Sequence, residues 1–533
     1  MDLSQIIGQK ILLAFQAKDG PTPEIIQALK AYRPAGLTLF RPFNIDSPFQ
    51  LRDLTDQLQR LALDLGLPPL LIATDQEGGQ LMAVGDGTPL PGNMALGATA
   101  SEELSRRAGE VLGRELAALG VNVNYAPCVD VNVNPQNPVV GVRSFGEDPR
   151  EVARLAAAMI EGIQSQGVAA TAKHFPGHGD TASDSHLGLP TVPHGLERLQ
   201  AVEFPPFRAA IQAGVKLVMS AHVGLPAIDG PDAPPATLSP NILKGILRRE
   251  LGFNGVIVTD AMDMHAIRQG EFLGEDSIRA AAAGADLLLV TSDLADHKRV
   301  HAALTQAAKS GRLDQAELLA SAERVLALKA WLAKQAPAPD LNVVRSAEHM
   351  RVADEIAEAS ITLVRDDMRL LPLRLTDQQR IAIIVPKPLD LTPADTSSYV
   401  TPKLADAFRE YHSQVDEFII SSTPHFTDIS ALLERVREYD LVVIGTLNAY
   451  NQEGQSTLVR DMLKTKIPTV VVAMRLPYDL MAFPEAPTYL CTYSILEPSM
   501  RALAKTVFGH SEANGRLPVA IPGLYEAGFG LSS

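Results

Sequence analysis

Two cysteines in 533 residues, Cys128 and Cys491, leave no material for a disulfide framework or a cysteine-based metal cluster. One tryptophan and 5 % aromatic residues supply few stacking platforms of the kind that grip long polysaccharides, so a sugar ligand would be a short one. Basic charge is also in deficit. A net charge of -15 with no basic patch argues against nucleic acid and against anionic membrane surfaces. No apolar run reaches the roughly 18 residues that span a bilayer, and MDLSQIIGQK lacks a basic region followed by an apolar core. The expectation is a soluble, cytoplasmic protein. The C-terminal third carries neither a GxxxxGK[ST] loop nor a GxGxxG fingerprint, so no nucleotide is implied there, and no cofactor is expected.

The length suggests two or three domains. Eight short apolar runs recur at Ile11 to Phe15, Gly36 to Phe40, Leu70 to Thr74, Val121 to Tyr125, Val168 to Ala172, Leu217 to Ala221, Val256 to Thr259 and Asp286 to Val290. Stretches with helical spacing lie between them, including Glu24 to Tyr32, Pro48 to Leu63, Ser101 to Leu119, Pro149 to Gln166, Leu196 to Ala213 and Ser277 to Ala283. Eight strands alternating with helices predict an α/β fold of the (β/α)8 TIM type over residues 1–334, with its site where the strands end. Asp75, Asn124, Lys173, His174, His222 and Asp260 all fall at or just beyond those ends. The proline-rich QAPAPDLNV opens a linker, 335–346. Residues 347–533 then begin with a helix-like Ala347 to Ser360. Strands at Ile381 to Val385, Glu417 to Ser421, Asp440 to Gly445, Thr469 to Met474 and Thr488 to Tyr493 follow, predicting an αβα sandwich with a mostly parallel sheet.

The densest chemistry lies in KHFPGHGDTASDSH, Lys173 to His186. Pro176, Gly177 and Gly179 forbid a continuing helix, so Lys173 and His174 end a strand and the rest is loop. Asp184 and His186, two apart, point to the same side if extended. The carboxylate can then hold one imidazole nitrogen and leave the other to move a proton. In VIVTDAMDM, Asp260 ends a β-branched run and could attack an electrophilic carbon, with Asp263 as its rival or as a cap for the next helix. In ATDQEGGQ, Asp75 could accept hydrogen bonds from neighbouring sugar hydroxyls or cap a helix. Arg143, in GVRSFGEDP, could grip a carbonyl, carboxylate or hydroxyl with its planar fork, or bridge loops. His174, His178, Asp180, Asp184 and His186 are metal-ligand types, but Pro176 and Gly177 break the helix that would pair two histidines, so no metal is expected. Glu453, in NAYNQEGQ, is the one candidate acid of the second domain, and a solvated loop glutamate is the simpler account of it.

Together KHFPGHGDTASDSH, DQEGG, RSFGEDP, MSAHV and VTDAMDM resemble family 3 of the glycoside hydrolases, in its β-N-acetylhexosaminidase branch. The runs ITLVRDDMRLLPL and ANGRLPVAIP resemble the second domain of its larger members. The resemblance implies Asp260 as nucleophile, His186 as acid/base paired with Asp184, and Asp75, Arg143, Lys173, His174 and His222 as the sugar-binding set. It implies release of terminal β-linked N-acetylglucosamine with retention, from a small saccharide such as a peptidoglycan fragment. Apart from the resemblance, a monomer is expected. Where the branch continues DQEGG as RVxR, this chain has Gln80, Leu81, Met82 and Ala83. Either another residue supplies the missing charge or the substrate differs from the usual muropeptide. Three further readings stay open: a phosphorylase, since neutral imidazole does not repel phosphate, a β-glucosidase drawing its acid from Glu453, and a saccharide-binding protein without turnover.

Overall fold

The computed structural model describes residues 2–181, 188–268, 270–393 and 395–531. Each of the eight apolar runs is a strand: β1 (Ile11–Ala14), β2 (Gly36–Thr38), β3 (Leu71–Thr74), β4 (Val123–Asn124), β5 (Ala169–Phe175), β6 (Leu217–Ser220), β7 (Val256–Thr259) and β8 (Leu288–Val290). They form one parallel sheet in the order β8-β1-β2-β3-β4-β5-β6-β7. A bridge from Val258 to Leu287, with Thr259 N donating to Leu287 O at 2.9 Å, joins its two edges into a nearly closed barrel.

Alternation along the strands sorts the apolar side chains into two sets. Leu71 and Ala73, Val123, Leu217 and Met219, Val256 and Val258, and Leu287 and Leu289 pack together inside the barrel. Their neighbours Ile72, Val218, Ile257, Leu288 and Val290 pack outward against the helices. Both faces are buried, so the strands read as unbroken apolar runs. Val325 and Leu328 of the helix Gln315–Leu332 join the interior set. Residues just ahead of the strands, Leu70, Val121 and Val168, share a cavity with Lys329 and Leu332 of the same helix. That helix therefore plugs the amino end of the barrel and leaves the carboxyl end as the mouth.

The helices fall as the spacing predicts, with one exception. Leu196 to Ala213 is two helices, Leu196–Ala201 and Phe204–Gln212. Pro205 and Pro206 have no N–H to donate back across the join, and they suit the first turn of a new helix.

The second sheet contains β9 (Thr362–Asp366), β10 (Ile381–Pro386), β11 (Val415–Ile420), β12 (Leu441–Thr446), β13 (Thr469–Ala473) and β14 (Thr488–Cys491). Its order is β9-β14-β13-β12-β10-β11, with every pair parallel except the edge pair β9 and β14. Helix Ala347–Ser360 leads into it. The sheet is fastened to the barrel by directed bonds. Thr396 N and Oγ1 donate to Gln80 O at 3.0 and 2.9 Å, and Met82 N donates to Thr396 Oγ1 at 3.0 Å. Asn132 Nδ2 reaches Tyr478 Oη at 3.1 Å, and Tyr450 Oη donates to Pro135 O at 2.9 Å. Gln80–Met82, where the sequence departs from the RVxR pattern, is thus the stretch held by the second domain. No described helix is long and apolar enough to cross a membrane.

Candidate active site

Asp75 directly follows β3, and no helix starts there. The chain instead makes a two-stranded ribbon, Gln76–Gly78 against Leu81–Met82. Gly79 turns it with φ +62°, and a Cβ there would lie 2.8 Å from Pro91 O. The ribbon carries Glu77 inward, 2 % exposed, and two cations converge on it. Arg143, in the tight turn Gly141–Arg143, forks onto the carboxylate with Nε–Oε2 at 2.9 Å and Nη2–Oε1 at 2.7 Å. Lys173, inside β5, places Nζ 2.7 Å from Glu77 Oε1 and 2.5 Å from Asp75 Oδ1. Two carboxylates and two cations balance in a site nearly shut from water, the condition under which buried charge is tolerated. Burial works against the charge on Glu77, but Arg143 and Lys173 outweigh it and hold the carboxyl down at about 2. Burial likewise opposes the charge on Lys173, yet Asp75 and Glu77 raise its ammonium above the usual range. The fork of Arg143 is thus occupied by Glu77, a residue within DQEGG that sequence reasoning passed over.

The strand β5 runs through Lys173 and His174 to Phe175, past the end expected at Ala172, with a register shift against β6 between Ala172 and Phe175. A second buried anion, Asp130, organises this end. Its carboxylate accepts from His174 Nδ1 and His178 N, each at 2.7 Å, and from Cys128 Sγ at 3.2 Å. With Nδ1 donating, His174 turns Nε2 toward Arg143 Nη2, 3.4 Å away. Burial, then the neighbouring His174, lowers the His178 imidazole to about 4 against the pull of Asp130, so it is neutral near pH 7. Its Nδ1 lies 2.8 Å from Thr181 Oγ1. Cys128, Asp130 and His174 bring ligand-type atoms within 4.8 Å of one another. Burial pushes the Cys128 thiol well up, and as a thiol it donates to Asp130.

Asp260 directly follows β7, its N donating to Ser220 O at 3.1 Å and its Oδ1 accepting from Ala261 N at 2.8 Å. Asp263 lies in a turn, and the next α-helix, Leu273–Ala283, has Phe272 at its N-cap. The His222 ring spans Thr237 Oγ1 at 2.8 Å and Ala261 O at 3.0 Å, so it braces the turn that carries Asp260. Asp75 and Asp260 face one mouth. After burial, which does most to raise the Tyr125 hydroxyl, both carboxylates add to the rise.

Asp184 and His186 lie outside the described residues. The flanks of that stretch are anchored beside the mouth. Asp180 Oδ2 meets His194 Nε2 at 2.5 Å, and on the far side Val192 N donates to Gly224 O at 2.9 Å, close after His222. Glu453 is an exposed first residue of the helix Glu453–Lys464, rather than a loop residue. Asp130 could have been suspected from its place just beyond β4. Its partners at 174 and 178 gave no local pattern with it.

A model of the glycosyl hydrolase family 3 N-terminal domain matches residues 6–328, and one of the C-terminal domain of the same family matches residues 361–527. The chain is 31 % identical to beta-hexosaminidase A of Pseudoalteromonas piscicida, over 97 % of each chain. Its fold is similar to that of a family 3 beta-N-acetylglucosaminidase from Paenibacillus sp. str. FPU-7. The TM-score is 0.92 and the identity 36 %, over 98 % of this chain and 99 % of that one. A beta-glucoside phosphorylase superposes with a TM-score of 0.81 at 27 % identity, over 98 % of this chain and 94 % of that one.

Proposed function

The chain belongs to glycosyl hydrolase family 3, and from that premise we propose that it releases terminal β-linked N-acetylglucosamine from short glycans such as peptidoglycan fragments, with retention. The observation that carries this is the pairing, across one barrel mouth, of Asp260 with Asp75 standing on a buried, charge-balanced support. Asp75 is about a quarter exposed while Lys173 beneath it is 2 % exposed. A carboxylate held in that way accepts hydrogen bonds from vicinal sugar hydroxyls with little reorganisation. Arg143, with its fork spent on Glu77, positions Lys173 and His174. His222 does the same for Asp260.

In the first step His186, protonated and oriented by Asp184, donates a proton to the departing glycosidic oxygen while Asp260 attacks the anomeric carbon. Water, deprotonated by the now neutral imidazole, then attacks the glycosyl ester and frees the sugar. The anchoring of residues 180 and 192 beside the mouth supports giving the acid role to His186, which lies between them in sequence. Arg41, whose Nη1 donates to Met82 O at 3.3 Å, brings a cation beside the stretch that lacks the RVxR arginines.

His186→Ala is expected to slow hydrolysis of alkyl N-acetylglucosaminides by roughly 10² to 10⁴-fold, with a much smaller loss in the glycosylation step for aryl glycosides whose leaving group needs no proton. Equal losses on both would remove His186 from the acid role. A panel of chromogenic glycosides, assayed with and without phosphate, tests the reaction itself. The expected result is N-acetylglucosaminide in preference to glucoside, with free sugar as product in both buffers. The beta-glucoside phosphorylase similarity favours one second reading, phosphate as acceptor, and sugar 1-phosphate appearing only in phosphate buffer would establish it.

A further inference from the structure

The second sheet has its own crevice, and nothing in the reaction above uses it. Taking β10 to β14 as strands 1 to 5, their order across the sheet is 2-1-3-4-5. In such open parallel sheets small ligands bind beyond the carboxyl ends of the strands, at the point where the order reverses. Here that point lies between β10 and β12. A cavity of about 340 Å³ opens there, lined by Leu389 and Leu391 after β10, Asn448 and Asn451 after β12, and roofed by Gln136 and Val140 of the barrel. Its volume is at the lower end of the roughly 300–1,000 Å³ typical of ligand pockets. Gln80 of the ribbon and Val142 beside Arg143 reach its edge, but none of Asp75, Lys173, His174, His222 and Asp260 lines it.

Asn448 is the telling residue. It is 9 % exposed, it adopts a left-handed backbone at φ 56°, and its Oδ1 is buried without a hydrogen-bond partner. A carbonyl buried without a donor destabilises the fold until a donor reaches it. A ligand donor would satisfy it after a small rotation of the side chain into the cavity. The surrounding frame is already fixed. Gln455 accepts from Leu447 N at 2.9 Å and donates to Ser422 O at 2.7 Å, tying together the loops after β12 and β11. The charged groups at the rim sum to zero. Arg475 is paired with buried Asp395 at 3.1 Å, and Lys387 and Asp390, on the loop after β10, carry one charge of each sign. Carboxamides beside leucine and valine walls, with little net field, suit a ligand that has a ring of hydroxyl donors and C–H faces but no charge.

We propose that this crevice is a second, non-catalytic binding site for a neutral saccharide of one or two rings. The sugar class rests on the function proposed above; the existence of the site does not. The test is equilibrium dialysis of the full chain against radiolabelled N-acetylglucosamine, comparing the unmodified protein with Asn448→Gly, which keeps the left-handed backbone, and Leu389→Trp, which fills the crevice from an exposed position. The expected result is two equivalents bound at saturation by the unmodified protein and one by each variant, with kcat/KM on a chromogenic N-acetylglucosaminide within about twofold of the original. One equivalent bound by the unmodified protein, or two retained by both variants, overturns the proposal. Absence of turnover in all three proteins, with the two-to-one loss intact, would instead sink the catalytic reading and leave the site standing.

Discussion

Asp260→Ala is expected to lower turnover of a chromogenic N-acetylglucosaminide by roughly ten-thousand-fold or more, the scale on which loss of a covalent nucleophile is felt. The side chain is half-buried at the strand end and accepts a hydrogen bond from Ala261 N, and the melting temperature is expected to move by only a few degrees. Mass spectrometry separates loss of the nucleophile from general damage to the site. A slow fluorinated N-acetylglucosaminide should label the unmodified enzyme on the peptide containing Asp260 and leave the variant unlabelled. A label on Asp263 would transfer the role to that residue, and the turn geometry of residues 262–264 would then have to bring it to the mouth.

Glu77→Gln should be the most damaging single change to stability. It leaves the Arg143 guanidinium and the Lys173 ammonium buried with one carboxylate fewer between them, a loss expected to cost about 3–5 kcal/mol. Urea unfolding reads it directly. The pH dependence gives an independent sign. Glu77 is held near 2 against an ordinary 4.5, so the folded state binds its proton less readily than the unfolded chain. Its contribution is complete above pH about 4.5 and is lost as the pH falls toward 2. The difference in urea midpoint between the unmodified protein and the variant should therefore be constant from neutral pH down to about 4.5 and narrow below that. A gap that does not change with pH would mean that the carboxylate charge is not what holds this cluster together.

The barrel was legible because its strands are buried on both faces, and eight apolar runs with polar residues at their ends leave few other folds. The second sheet was legible for the same reason except at its edges, at β11, where Asp416, Glu417 and Ile419 are exposed, and at β9. There ITLV runs antiparallel at an edge, and alternation alone does not announce direction. The break at Val202 was foreshadowed by Pro205 and Pro206, which a reading by helical spacing alone overrides. At the site, single residues at strand ends could be named because the chain itself supplies their position. The roles of Glu77 and Asp130 could not, since their meaning lies in partners 66 and 44 residues away in sequence. A buried acid is explained only by the cations and N–H groups that surround it, and these converge through the closure of the barrel.

Thr396 holds the outer edge of the ribbon that begins one residue after Asp75. The carboxylate proposed to recognise the sugar is therefore set from two directions: by Lys173 from beneath, and by a threonine from a separate domain at the side. A swing of one half of the molecule against the other would strain that threonine clasp first and drag the recognition carboxylate with it. On the proposed mechanism the downstream domain acts as a jig for the pocket.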